Sequence, residues 1–95
     1  MTFSDLGAIY ITGEVSARMD SDTGFARFVA ASFKRYTHCD WGELCASDKA
    51  LNDSAVQHNN DRIVASYQSQ THDWHIYIIT EQDRSITTIL FPHEY

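Results

Sequence analysis

Apolar residues change their spacing along this chain, and the change divides it into a helical first part and an extended last part. From residue 62 onward three runs carry the two-residue period of strands or are apolar throughout: Arg62–Gln70, Trp74–Thr80 and Ile86–Phe91. In the second run Trp74, Ile76, Ile78 and Thr80 share one face, and His75, Tyr77 and Ile79 the other. Apolar residues on both faces predict a central strand. The charged pentapeptide Glu81–Ser85 joins the last two runs, and Pro92, which has no N–H for a ladder, marks the end of the third.

Upstream the period is helical. Phe25, Phe28, Val29, Ser32, Phe33 and Tyr36 fall at i, i+3, i+4, i+7, i+8 and i+11, a stripe of four aromatic rings broken only by Ser32. This predicts a core helix over Phe25–Tyr36, with Asp22 or Thr23 as its cap. Lys34 and Arg35 stand in its last turns, where the helix dipole favours cations. A shorter helix is expected over Gly13–Met19, started by Thr12 with Glu14 in its first turn. A third is expected from Ser47 as N-cap, with Leu51, Ala55 and Val56 facing inward, ending at the polar cluster Gln57–Asp61. Ala8–Thr12 reads as an edge strand or an extended lead into the first helix. Trp41, in an irregular stretch interrupted by Gly42, is expected to close one end of the core. Helices first and strands later predict an α+β fold: N-terminal helices on one face of a C-terminal antiparallel sheet of three to four strands.

Composition adds bounds. Ninety-five residues suit a single domain, 1–95, and twelve aromatic side chains supply its core. Thirteen acids against seven bases give a net charge of −6, which disfavours direct nucleic-acid binding, because phosphate contacts need clustered Lys and Arg. An acidic domain suits a basic protein surface, or simply solubility. The sequence holds no apolar run of membrane-spanning length and no leader-like start, so a cytoplasmic protein is expected, with no membrane partner. Cys39 and Cys45 are then expected as reduced, buried or half-buried thiols, since their spacing fits neither a redox pair nor a zinc half-site.

Candidate chemistry is sparse. No nucleophile elbow, phosphate-binding glycine loop or HExxH occurs, so neither an enzyme nor a cofactor is expected. His72, Asp73 and His93 are a weak metal set, because His72 and His75 point to opposite sides of a continuous strand. Two surfaces remain as partner-binding candidates. One is an acidic strip, Asp40, Glu43, Asp48 and Asp53, within a stretch from Asp40 to Asp61 that holds five acids and one base; Trp41 would be its aromatic anchor. The other is the turn with Glu81, Asp83 and Arg84. Each has a structural alternative: ordinary solvated surface for the strip, and an Asp83-capped turn with Arg84 paired to an acid for the other.

Two stretches, Asp40–Leu44 with Asp48–Asp53 and Ile78–Tyr95, carry a family likeness. Over roughly residues 10 to 95 the chain resembles short proteins of bacterial plasmids, phages and integrated elements, labelled "plasmid-related" or, loosely, "type I restriction subunit M". The chain has a single proline and none of the methyltransferase motifs, so the second label implies no catalysis here. The resemblance implies an accessory protein of mobile DNA. The expected function is therefore a protein-binding module that inhibits a host nucleic-acid-targeting complex, of anti-CRISPR or anti-restriction type, by occupying a basic surface. The alternative is a homodimeric structural or regulatory protein joined through an exposed sheet edge.

Overall fold

A computed structural model describes all residues, Met1–Tyr95. In chain order it contains β1 (Ala8–Ile11), α1 (Gly13–Ser21), α2 (Thr23–Thr37), α3 (Ala46–His58), β2 (Ile63–Gln68), β3 (His75–Thr80) and β4 (Ile86–Leu90), then a single 3-10 turn, Pro92–Glu94. The architecture is α+β, with the helices N-terminal of the three main strands. The sheet order is β1-β4-β3-β2. β2–β3 and β3–β4 are antiparallel, as the meander reading requires. β1 is a true edge strand, but it pairs with β4 in parallel, so the sheet is mixed rather than antiparallel throughout. Nothing in a four-residue apolar run distinguishes the two directions; the crossover through the helices and the meander decides it.

The helices cover one face. Phe25, Val29, Ser32 and Tyr36 of α2 are buried against Ile76, Ile78 and Thr80 of β3 and their neighbours. Ser32 keeps to the stripe and is 2% exposed. Both helix starts follow their caps: Thr12 Oγ1 accepts from Val15 N–H, and Asp22 Oδ1 from Phe25 N–H. α3 departs from expectation. It begins at Ala46 after an extended Cys45, so Ser47 lies inside the first turn, its hydroxyl against Cys45 Sγ, and is no cap. Leu51 is 67% exposed, while Asn52 and Ala55 face inward and Val56 is half-buried. The reason is polar: Asn52 Nδ2 donates to the Val64 carbonyl at 2.9 Å, and seating that amide turns Leu51 outward. Cys45 is exposed, not buried; Cys39 is half-buried.

The opposite face is covered in part by the C-terminal residues, with Ala8 and Tyr10 left exposed. Tyr95 lies edge-on to Tyr77 and beneath the Arg62 guanidinium. Glu94 accepts from Phe91 N–H and from Thr12 Oγ1, and His93 meets Glu14, which pins the tail to the start of α1.

A polar chain crosses the core: Tyr36 OH meets Thr80 Oγ1 at 2.6 Å, Thr80 meets Thr87 Oγ1 at 2.7 Å, and Thr87 donates to the Leu6 carbonyl at 2.7 Å. Tyr67 OH donates to the Asp40 carbonyl at 2.8 Å. Burial pushes both phenols well above their ordinary value of 10.0, because the phenolate is the form that desolvation penalises. Their neutral forms therefore hold the fold below pH 10, the unfolded value. As pH rises past it, the unfolded chain ionises while the folded one resists. Stability should then fall by roughly 2.7 kcal/mol per pH unit for the pair. Urea titrations at pH 8, 10 and 11 test this, and tyrosinate absorbance at 295 nm should rise only with unfolding for these two groups. A midpoint unchanged up to pH 11 would contradict it.

Candidate functional site

The acidic strip does not form a continuous surface charge. Asp40 and Glu43 close on Arg35 at the end of α2: Arg35 Nε donates to Asp40 Oδ2 at 2.8 Å and Nη2 to Oδ1 at 3.1 Å, with Glu43 Oε1 3.8 Å from Nη1. The Arg35 guanidinium beside it holds the Asp40 carboxyl below the usual range, and the Arg35 pKa is raised in turn. Glu43 also accepts from Gln68 N–H at 3.0 Å. Trp41 is 2% exposed, packed between Phe3 and Tyr36, and its Nε1 donates to Asp53 Oδ1 at 2.9 Å. It closes the core as expected and is not available as a rim anchor. Of the strip's four acids only Asp48 has neither an ion pair nor a side-chain hydrogen bond. It lines a shallow depression with Leu44, Leu51, Asp61 and Arg62.

The second candidate is built differently. Arg84 is 7% exposed, in the left-handed region at φ 61°. It pairs with no carboxylate. Its Nη1 donates to the carbonyls of Asp61 (2.6 Å) and Glu81 (3.2 Å), and its Nη2 to those of Ala55 (2.9 Å) and Asn60 (3.1 Å). The guanidinium carbon lies 5.7 Å from the centre of the Phe3 ring. Arg84 thus caps the carbonyl end of α3, where the helix dipole is negative, and ties the β3–β4 turn to the α3–β2 link. It is a structural clamp, with its guanidinium turned into the fold and away from the surface.

Glu81 and Asp83 remain exposed above this clamp. Asp83 caps its own turn, its Oδ1 accepting from Ser85 N–H at 3.0 Å, and hydrogen bonds from Ser85 hold its carboxyl below the ordinary value. With Asn59, Asn60, Gln82 and Ser85 they line an open, wholly polar depression of about 570 Å³. Asp61, carried on the adjacent link, adds a third carboxylate to this end of the molecule. None of the three forms an ion pair. Asp61 belongs to the acid-rich stretch of the sequence, and the Arg84 bond to its carbonyl brings it beside the turn, which its position in the sequence does not reveal.

The weak metal set is dispersed. His72 stacks on Trp74 at 3.9 Å, His93 is engaged by Glu14, and no three His, Cys, Asp or Glu side chains converge to hold an ion. No helix is long and apolar enough to cross a membrane.

The two sheet edges are treated unequally, which no sequence signal announced. Along β2 four of the six outward backbone groups of Val64, Ser66 and Gln68 have partners. Asn52 takes the Val64 carbonyl, Trp41 O and Glu43 N–H take both groups of Ser66, and the Glu43 carboxylate takes Gln68 N–H. Along β1 nothing comparable is present. No family model, no curated protein and no solved structure matches this chain.

Proposed function

We propose that the chain is a protein-binding module of a mobile genetic element that docks its acid-rich end on a basic surface of a host nucleic-acid-targeting complex, of CRISPR-effector or restriction type. The observation that carries this reading is the trio Asp61, Glu81 and Asp83, unpaired and held around the Arg84 clamp. A rigid backbone keeps such carboxylates positioned before contact, so docking on a basic groove costs little ordering entropy. The likeness to mobile-element proteins supplies the class of target. The Arg35 ion pairs take Asp40 and Glu43 out of this role, and Asp48 can extend the contact.

The test is DNA cleavage by a purified guide-loaded CRISPR effector and by a purified type I restriction complex, each with excess chain. The expected result is inhibition of one class. The triple neutralisation Asp61→Asn, Glu81→Gln, Asp83→Asn keeps an oxygen at position 83 for the turn cap. It should weaken inhibition by roughly tenfold at about 0.15 M salt, and added salt should weaken the wild type in the same direction. Undiminished cleavage by both classes, or inhibition indifferent to the triple change, would refute the reading.

A further inference from the structure

The unprotected β1 edge, which starts beside the Glu81–Ser85 turn and runs away from it, has the makings of a second binding site, independent of the function proposed for the acid-rich end. In the parallel ladder Ala8 N–H reaches Ser85 O and Thr12 N–H reaches Ile89 O, so Ala8, Tyr10 and Thr12 turn their backbone groups toward β4. By alternation the N–H and C=O of Ile9 and Ile11 point away from the sheet. No bond within the chain satisfies them from that side, whereas most outward groups of the opposite edge at β2 are taken. The strand carries neither Lys nor Pro nor a bulge, the usual protections of an edge. Ile9 and Tyr10 are 47% and 53% exposed.

Beside this edge, on the helix-covered side of the sheet, lies a groove of about 230 Å³ lined only by apolar side chains, among them Ile9, Ile11, Met19, Ala30, Phe33 and Ile89. Arg27 and Lys34 stand three residues before and four after Ala30, exposed on the helical face that borders the groove on its solvent side, with Lys34 also lining the neighbouring depression of Ala31, Arg35, His38 and Asp40. Neither is engaged in an ion pair, in a chain whose other surface charges are mostly negative. Seven residues of helix separate them by about 10 Å. Residues i−2 and i+2 of a strand point to the same side and lie about 13 Å apart, within reach of long charged side chains. An added strand would therefore set one apolar side chain into the groove and a carboxylate two residues to each side of it.

We infer that β1 accepts a fifth strand from a partner segment of pattern acid–x–apolar–x–acid, held by backbone hydrogen bonds to Ile9 and Ile11 and by Arg27 and Lys34 at the groove rim. The rim charge selects this occupant over a second copy of β1, whose own Arg27 and Lys34 would bring like charge to the joint. Main-chain bonds supply affinity in such strand addition, and the pocket and rim supply selectivity.

The probe is the fluorescein-labelled heptapeptide Thr-Glu-Thr-Ile-Thr-Glu-Thr, followed by anisotropy against the full chain. Saturable binding is expected. Replacing both glutamates by lysine, or making Arg27→Glu with Lys34→Glu on the exposed helix face, should each weaken it roughly tenfold, and combining the two changes should restore it. Two further peptides, methylated on their odd or on their even backbone nitrogens, give the signature of strand addition: one phase should lose about tenfold or more and the other should bind normally. The proposal is overturned if no peptide binds the folded chain, if the lysine peptide binds equally well, or if both methylated phases behave alike. It is likewise overturned if sedimentation shows a dimer that excludes the peptide, since a second copy then owns the edge.

Discussion

Replacing Arg84 by methionine should cost on the order of 3–5 kcal/mol, enough to leave the domain largely unfolded at 37 °C. Methionine fills much of the same space, so the loss isolates the polar contribution. Four carbonyls, those of Ala55, Asn60, Asp61 and Glu81, lose a charged donor together. Asn60 N–H and the Asn59 C-cap also bond the Ala55 carbonyl, so the end of α3 loosens with it. The Phe3 ring loses the guanidinium lying over it, which frees the N-terminal segment that reaches α2 through Phe3 N–H and Thr37 O. Arg84→Lys tests the geometry separately: one ammonium cannot span two pairs of carbonyls as a planar fork does, so about half the loss should persist. Urea unfolding is the measurement, with a shift of the methionine variant's midpoint by about 2 M at an unchanged slope. A shift below about 0.5 M would mean that water replaces the guanidinium at little cost and that the clamp is incidental.

Arg84 also shows where the sequence stops being informative. In a turn reading Glu-Gln-Asp-Arg-Ser it looks like surface charge, and its partners are backbone carbonyls, which leave no mark on the residue types that carry them. The Phe25–Tyr36 stripe was legible because burial on a helix imposes a period, and α2 buries Phe25, Val29, Ser32 and Tyr36 as that period requires. The three-stranded meander was legible for the same reason. The parallel pairing of β1 was not, because alternation encodes the face of a strand and not the direction of its neighbour. Leu51 and Asn52 reverse the ordinary expectation because one amide bond to an edge carbonyl outweighs the burial of one leucine at the margin of the core. The charge of the acidic strip is partly offset by a partner outside it. Arg35, on the preceding helix, reaches two of its four carboxylates, and Trp41 takes a third as a hydrogen-bond acceptor.

Gly42→Ala should be nearly as damaging as the loss of Arg84, and its consequences concern the sheet edge. Gly42 sits at φ 77°, where a side chain is strained, and an added Cβ would fall 2.0 Å from the Ser66 carbonyl oxygen and 2.8 Å from the Tyr67 ring. Neither obstacle can swing aside: the first is backbone and the second is a fully buried ring. The segment must therefore lift from β2, breaking Ser66 N–H to Trp41 O and Glu43 N–H to Ser66 O, and drawing on Trp41, the bulkiest side chain of the core. A loss of about 3–4 kcal/mol follows, or a melting temperature lower by roughly 15–25 °C. Hydrogen exchange supplies the specific readout. The amides of Ser66 and Glu43 should exchange far faster, while those of β4, at the centre of the sheet, change only as much as global stability does. Uncovering β2 also gives the molecule a second open edge beside β1, so the variant should associate as its concentration rises under conditions in which the parent does not. A variant that melts normally and keeps Ser66 protected would show that the glycine is dispensable and that something other than the Trp41–Glu43 segment guards this edge.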